Sequence, residues 1–302
     1  MGDEGRRRHY GIFYGLQEIP AGTGPLLVIH GNCQAESLRV LVSPHLRTVR
    51  IPPVHELTAD DLPWLAKLLG RADLVMSQPI RAGYRDLRLG TAEIMELAPN
   101  AAPVIMLPVL RWSALHPFQV IVRTPLGDPP GVPYHDLRVL AAAAGSPIPE
   151  IPGPEAVRTI RENSITELRA RTERHGTVAA DDLFVAAGAE ACQVINHPGN
   201  LVLRGVAERA LARCGIRVAV ADPGRVLLDS VHAPRLPETL AAQGLPVTPA
   251  TVRRDWLVAG RAVPDEEIRR VQADWYAAHP EVVAAGLRRH GALLDLLRAS
   301  GA

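Results

Sequence analysis

Short apolar runs alternate with amphipathic segments over the first 110 residues, and this alternation limits the possible folds more than any other feature. The apolar runs predict buried strands, and the segments between them have the spacing of helices with one apolar face. The predicted strands are 26–30, 46–54, 73–76 and 103–110. Because the joints are short, we predict βαβ units, and so an α/β fold with an open parallel sheet of about four to five strands flanked by helices.

The second half of the chain is predicted to be mostly helical. The predicted helices are 154–174, 181–191, 200–214 and 265–297, and one further strand is predicted at 217–221. We therefore divide the chain into an N-terminal arm at 1–24, irregular or partly ordered, an α/β catalytic core at 25–222 that includes a helical insert, and a C-terminal helical region at 223–302 packed on the core.

Charge and composition exclude several classes of protein. The chain has 302 residues, of which 47% are hydrophobic and 22% charged, and its net charge is +1. A net charge this small gives no general attraction to nucleic acid or membranes. No apolar run reaches the ~18 residues of a membrane-spanning helix, and no apolar segment follows the charged N-terminus as in a secretory signal. We expect a cytoplasmic protein with neither a membrane span nor a nucleic-acid partner.

The three cysteines, Cys33, Cys192 and Cys214, are widely spaced and belong to no CxxC or Cys/His motif. Isolated cysteines in odd number argue against a disulfide framework, and we expect no metal site. Cys192 and Cys214 lie in apolar, helical surroundings, where cysteine behaves as a small core side chain. Cys33 lies among polar residues instead.

Cys33 belongs to the tetrapeptide Gly31-Asn32-Cys33-Gln34, between the first predicted strand and the first predicted helix. At such a turn the thiol lies before a helix N-terminus, where free N–H groups and the helix dipole favour thiolate. We predict that Cys33 is a nucleophile. The alternative is a buried structural cysteine at a tight turn.

An acyl-transfer site needs hydrogen-bond donors for the oxyanion of its intermediate. Asn32 and Gln34 flank Cys33, and Ser77 and Gln78 follow the third predicted strand. The carboxyl ends of parallel strands share one edge of the sheet, so we predict that these four residues contact the oxyanion or the substrate. For Asn32, a left-handed turn conformation is the alternative.

A cysteine nucleophile also needs a base, and His197 is the best placed of the 11 histidines. It lies in a turn before a predicted helix, and the adjacent Asn196 is an option for orienting the imidazole. His116 is the second choice as base, or a ligand contact. A surface turn or a cap is the alternative role for His197.

A ligand with phosphate and adenine groups would need cations and an aromatic face. Arg81 and Arg111 follow predicted strands, and Trp112 can stack on a base, with His116 nearby in sequence. We predict that these four residues bind the cofactor. No GxGxxG fingerprint or P-loop is present, so NAD and ATP are not indicated.

The strand followed by Gly31-Asn32-Cys33-Gln34, with the later Asn196-His197-Pro198, resembles the WcbI-type polysaccharide biosynthesis family over residues 26 to 215. This family consists of proposed acetyltransferases that bind coenzyme A. The resemblance implies that Cys33 is the nucleophile and that acyl-CoA is the co-substrate. The arrangement is also similar to SGNH-type hydrolases, with Cys33 in place of their serine and Gln78 where they have an oxyanion-hole asparagine.

We therefore expect an acyltransferase that uses acyl-CoA or a carrier-bound thioester, the latter with an acyl carrier protein as partner. The acceptor would be a hydroxyl or amine of a sugar or specialised metabolite. A thioesterase or esterase is the first alternative, and a non-catalytic protein that binds CoA or a nucleotide is the second.

Overall fold

The computed structural model describes residues 2–99 and 102–299. Residues 1 and 300–302, which belong to the predicted arm and C-terminal region, lie outside this range. The chain forms two compact units. The first unit comprises Met1–Leu110, Leu168–Leu183 and Asn200–Leu227, and the second comprises Arg111–Glu167, Phe184–Gly199 and Leu228–Ala302. The domain boundaries at residues 24 and 222 stay a prediction.

The strands are short. They are β1 (Leu26–His30), β2 (Arg47–Thr48), β3 (Leu74–Ser77), β4 (Val104–Met106), β5 (Gln119–Val120), β6 (His135–Asp136), β7 (Cys192–Val194), β8 (His197–Pro198), β9 (Val231–His232), β10 (Trp256–Val258) and β11 (Arg261–Val263).

The helices account for most of the regular structure after residue 136. They are α1 (Asp3–His9), α2 (Cys33–Val42), α3 (Leu62–Leu69), α4 (Thr91–Met95), α5 (Leu137–Ala143), α6 (Pro154–His175), α7 (Asp181–Ala187), α8 (Asn200–Arg213), α9 (Pro237–Ala242), α10 (Asp265–Ala278) and α11 (Pro280–Ala299). Among the described residues, none of these helices is long and apolar enough to cross a membrane.

The first unit is built on a parallel sheet in the order β2-β1-β3-β4. Strands β1 and β3 are buried along their whole length, which fits the continuous apolar runs of the sequence. The α/β prediction, with a parallel sheet and a mostly helical second half, is confirmed. Because all four strands run in one direction, the ends of β1 and β3 bring their following turns to the same edge.

The N-terminal segment is part of the core, which corrects its prediction as an irregular arm. It contains α1, and Tyr10, Phe13 and Tyr14 are buried in one hydrophobic cluster with α3. The hydroxyl of Tyr14 donates to buried Asp61 at 2.6 Å, and Arg6 pairs with the same carboxylate at 2.8 Å. Three aromatic side chains and this polar group fix the segment.

Two predicted strands differ from the structure. The second is reduced from 46–54 to the two residues of β2, and Pro52 and Pro53 follow within the predicted span. No strand forms at 217–221. There the backbone N–H of Val220 donates to the Glu208 side chain at 2.9 Å, and Arg204 donates to the Val220 carbonyl at 2.8 Å. Side chains of α8 therefore replace a neighbouring strand as partners.

In the second unit, α5 packs against α10 and α11 around an apolar cluster. Beside it lie the antiparallel sheet β11-β10-β9 and the pairs β5–β6 and β7–β8. Cys192 lies on β7, not in a helix as predicted, and is buried.

Candidate functional site

Cys33 is the first residue of α2, directly after the turn that ends β1. Asn32 caps this helix, since its Oδ1 accepts a hydrogen bond from the backbone N–H of Gln34 at 2.9 Å. Asn32 has φ −85° and ψ −164°, an extended and not a left-handed conformation. Its side-chain oxygen therefore fixes the first turn of the helix that carries the thiol.

No side chain fits at Gly31. A Cβ atom there would lie 2.5 Å from Gln78 Oε1 and 2.9 Å from the Ala35 side chain. The missing side chain allows Gln78 Oε1 to approach and accept the backbone N–H of Asn32 at 2.9 Å. Glycine is thus required here by the close packing of the turn against the end of β3.

The buried amides of Gln34 and Gln78 join the turn to a segment that follows β4. Gln78 Nε2 donates to Gln34 Oε1 at 3.2 Å and to the Pro108 carbonyl at 3.1 Å. Gln34 Nε2 donates to the Leu110 carbonyl at 2.8 Å, and Gln34 Oε1 accepts from the Leu110 N–H at 3.0 Å. Buried polar groups are costly without partners, so this network holds the three chain segments in one arrangement.

The network changes the predicted roles of Gln78 and Ser77. Both Nε2 hydrogens of Gln78 are donated within the protein, so this amide has no spare donor for an oxyanion. Ser77 is buried, and its hydroxyl donates to the Gln78 carbonyl at 2.9 Å, beside Thr91. The structure therefore corrects the prediction that Gln78 and Ser77 donate to an oxyanion. Contact of Gln34 with the oxyanion, and of these side chains with the substrate, stays a prediction.

The Cys33 thiol is partly exposed. Burial raises its pKa, the backbone N–H groups of Gln34 and Cys33 that bond to the sulfur lower it, and the charge of Glu56 raises it. The balance is a raised pKa, opposite to the direction expected from the helix N-terminus alone. A base therefore has to remove the thiol proton at neutral pH.

A loop that the sequence pattern did not connect with Cys33 lies beside the turn. The backbone N–H of Val54 donates to the Gly31 carbonyl at 2.8 Å, and Glu56 follows close enough to act on the thiol. The only local signal is the pair Pro52-Pro53, which breaks the predicted second strand. This loop contacts the turn only in the folded chain, so the hydrophobic periodicity of the sequence cannot predict the contact.

His197 and Asn196 belong to the second unit, where β8 carries the histidine. Asn196 Oδ1 accepts a hydrogen bond from the Tyr134 hydroxyl at 2.8 Å. Burial, and then the charge of His232, lower the pKa of His197 to about 4. The imidazole is therefore neutral at pH 7 and able to accept a proton. Its predicted turn is a short strand immediately before α8.

The residues predicted to bind a cofactor have different surroundings. Trp112 is 2% exposed and stacks on Phe184 with ring centroids 5.0 Å apart, so packing replaces its predicted adenine-stacking role. His116 is buried and donates to the Pro234 carbonyl at 3.1 Å. Arg111 is partly buried in the second unit, and Arg81 is exposed in the first.

The structure thus brings Asn32, Cys33, Gln34, Ser77 and Gln78 together at one sheet edge of the first unit. His197, Asn196, Arg111, Trp112 and His116 belong to the second unit. Within residues 2–99 and 102–299, no group of three or more His, Cys, Asp or Glu side chains has the geometry of a metal site.

The family described as polysaccharide biosynthesis enzyme WcbI matches residues 26–218 of the chain. One similar solved structure covers 92% of this chain and 98% of its own, with a TM-score of 0.76 and 18% sequence identity. It is described as WcbI, a novel polysaccharide biosynthesis enzyme, in a native form without a disulfide bond between coenzyme A and one of its cysteines. At this identity the likeness concerns the fold. None of the curated proteins matches the chain.

Proposed function

Because the chain belongs to the WcbI family of polysaccharide biosynthesis enzymes, we propose that it is an acyltransferase with Cys33 as nucleophile. It takes the acyl group from acyl-CoA or a carrier-bound thioester and passes it to a hydroxyl or amine of a sugar or specialised metabolite. One observation carries the proposal: a partly exposed thiol begins a helix directly after a parallel strand.

The reaction has two steps. The Cys33 sulfur attacks the thioester carbonyl carbon, the bond from that carbon to the CoA sulfur breaks, and CoA leaves as a thiol with the proton that the cysteine gave up. The acceptor then attacks the acyl-cysteine, loses its own proton to a base, and restores the thiol. Exchange between two thioesters is nearly isoenergetic, which suits a cysteine relay.

The base has to be neutral before it takes the thiol proton. His197 is unprotonated at pH 7, because its pKa is lowered to about 4. The same shift makes it a weaker base, so removal of the thiol proton has to be coupled to attack on the thioester carbon. Its role as general base is part of the proposal, with Asn196 beside it in sequence. Since burial raises the pKa of Cys33, removal of the base should slow acylation as well as discharge.

Coenzyme A is the favoured donor because the description of the similar solved structure names it together with a cysteine. A cysteine thiol that can reach the sulfur of CoA can also reach the carbonyl carbon that is bonded to this sulfur in an acyl-CoA. The acceptor class follows from the family, whose members act in polysaccharide biosynthesis.

Intact mass spectrometry after incubation with a panel of acyl-CoAs tests the proposal. Wild type should gain the mass of one acyl group, and Cys33→Ala should gain none. Cys214→Ala is the matched control, since Cys214 is also partly buried at the end of a helix and should be dispensable. His197→Ala should acylate slowly and fail to discharge to an acceptor.

Other results would change the assignment. Release of free acid without transfer to any acceptor would favour a hydrolase. Binding of CoA with no adduct, and turnover unaffected in Cys33→Ala, would exclude a covalent mechanism.

A further inference from the structure

Arg235 and Arg253 in the second unit face each other across two extended segments. The backbone N–H of Arg235 donates to the Arg253 carbonyl at 2.8 Å, and the Arg253 N–H donates back to the Arg235 carbonyl at 3.2 Å. Residues paired in this antiparallel way have side chains on the same face, with Cβ atoms about 5 Å apart. The backbone therefore brings two guanidinium groups to one place.

No carboxylate neutralises this pair within the described part of the chain: neither arginine takes part in an ion pair there. Arg235 is 8% exposed, and its Nη1 donates to the Ala189 carbonyl. Its Nε is buried without a hydrogen-bond partner, as is Nη1 of Arg253. Asp229 and Glu190 act on the pair only through longer-range charge. Like charges that face each other in this way are destabilising, and a buried unpaired charge is costly.

Arg138 is a buried arginine of the same unit that has carboxylate partners. It is 9% exposed and pairs with Asp136 at 2.5 Å, Asp265 at 3.3 Å and Glu150 at 3.6 Å. Arg138 and Arg235 are equally buried, yet only Arg138 has counter-charges. Burial alone therefore does not explain why the Arg235–Arg253 pair lacks the carboxylates that Arg138 has.

The surrounding groups agree with a positive, dry environment. Burial lowers the pKa of Arg235, and burial and then the charge of Arg235 lower that of Arg253. The same charges reach His116, whose pKa falls to about 3 through burial and then through Arg235. His232 lies three residues before Arg235 and is buried; its Nε2 bonds to the Asp229 carboxylate at 2.5 Å, and its Nδ1 has no partner.

We propose that Arg235 and Arg253 bind a phosphate group of a ligand. The donors left without a partner, Nε of Arg235 and Nη1 of Arg253, come from the two guanidinium groups, and guanidinium N–H groups match phosphate oxygens. Arg253 is only partly buried, which leaves an approach to the pair from its side. The phosphate would belong either to CoA or to a phosphorylated sugar acceptor. The site itself does not depend on acylation of Cys33, so Cys33→Ala should retain it.

Calorimetric titration at low ionic strength with inorganic phosphate and pyrophosphate tests the site. Arg253→Gln removes one guanidinium, and Arg254→Gln is the matched control, because Arg254 is the adjacent and exposed arginine. Wild type and Arg254→Gln should bind one equivalent. Arg253→Gln should bind at least about tenfold more weakly, since charge-assisted hydrogen bonds are lost.

Thermal unfolding separates binding from a structural role. Without phosphate, Arg253→Gln should be at least as stable as wild type, because a like-charge repulsion is removed, and phosphate should no longer raise its Tm. No saturable binding of either anion by wild type, or affinities of Arg253→Gln within twofold of Arg254→Gln, would overturn the proposal.

Titration of CoA, dephospho-CoA and a sugar 1-phosphate identifies the source of the phosphate. If the pair holds the 3′-phosphate of CoA, Arg253→Gln weakens CoA binding and leaves dephospho-CoA unchanged. If it holds the CoA pyrophosphate, both weaken. If it holds the acceptor, only the sugar phosphate weakens.

Discussion

Replacement of Gln78 by methionine tests whether this residue holds the turn or stabilises an oxyanion. Methionine has a similar volume and no hydrogen-bonding amide, so Gln78→Met removes three hydrogen bonds with little change in packing. At about 1 kcal/mol net for each bond, the variant should lose about 3 kcal/mol of unfolding free energy. The Pro108 carbonyl and the Asn32 N–H, left without partners, can only increase this loss.

Thermal unfolding measures the effect. A loss of this size corresponds to a decrease in Tm of roughly 6–12 °C for a unit of this length. Gln17→Met is the control, because Gln17 is exposed and the same exchange there should change stability by less than about 0.5 kcal/mol. A Tm within 2 °C of wild type would mean that Gln78→Met loses less than ~1 kcal/mol of unfolding free energy. If acyl transfer were nevertheless abolished, our reasoning would be refuted and the oxyanion role restored.

Three further results are expected. The raised pKa of Cys33 keeps its thiol protonated at neutral pH. The rate of Cys33 alkylation by iodoacetamide, measured in a Cys214→Ala background, should therefore increase about tenfold per pH unit between about pH 7 and 9. A rate that stops increasing below pH 8 would show that Cys33 is already a thiolate. Burial alone would raise the pKa of Asp61, but hydrogen bonds from Arg6 and Tyr14 outweigh it and lower the pKa to about 2. Asp61→Asn should therefore be less stable than wild type at pH 7, and urea titrations should show this difference vanish as pH falls from about 4 to about 2; a difference that persists at pH 2 would contradict this. Gly31→Ala should unfold at a Tm at least several degrees lower, since its Cβ meets Gln78 Oε1 at 2.5 Å; a wild-type Tm would show that the turn yields.

The parts of the fold that local pattern determines were predictable. The strand, turn and helix around Cys33 follow from an apolar run, a glycine and an N-capping asparagine, all adjacent in sequence. The pattern predicts a helix at 154–174, and α6 begins at the same residue. The strand predicted at 217–221 has the right composition, but its polar backbone groups bond to α8 side chains, and apolar spacing cannot reveal such partners.

The site was predictable in its position and less so in its chemistry. The motif predicts Cys33 as the nucleophile, yet the pKa of its thiol depends on burial and on the charge of Glu56, both of which come from tertiary structure. The sequence predicts that Gln78 lies at the sheet edge, but its partners Gln34 and Pro108 come from distant parts of the sequence. The sequence shows that an amide side chain is present at this position, but it does not show which groups form hydrogen bonds with that amide.

The buried aromatics of the N-terminal segment affect how shortened forms of this protein should be designed. The family match begins at residue 26, at the start of β1, and a shortened form designed from that match would begin there. Such a cut would remove Tyr10, Phe13 and Tyr14 and leave the apolar side of α3 uncovered. A chain trimmed to the matched residues would then expose apolar surface, and poor solubility of that fragment would reflect the lost aromatic side chains.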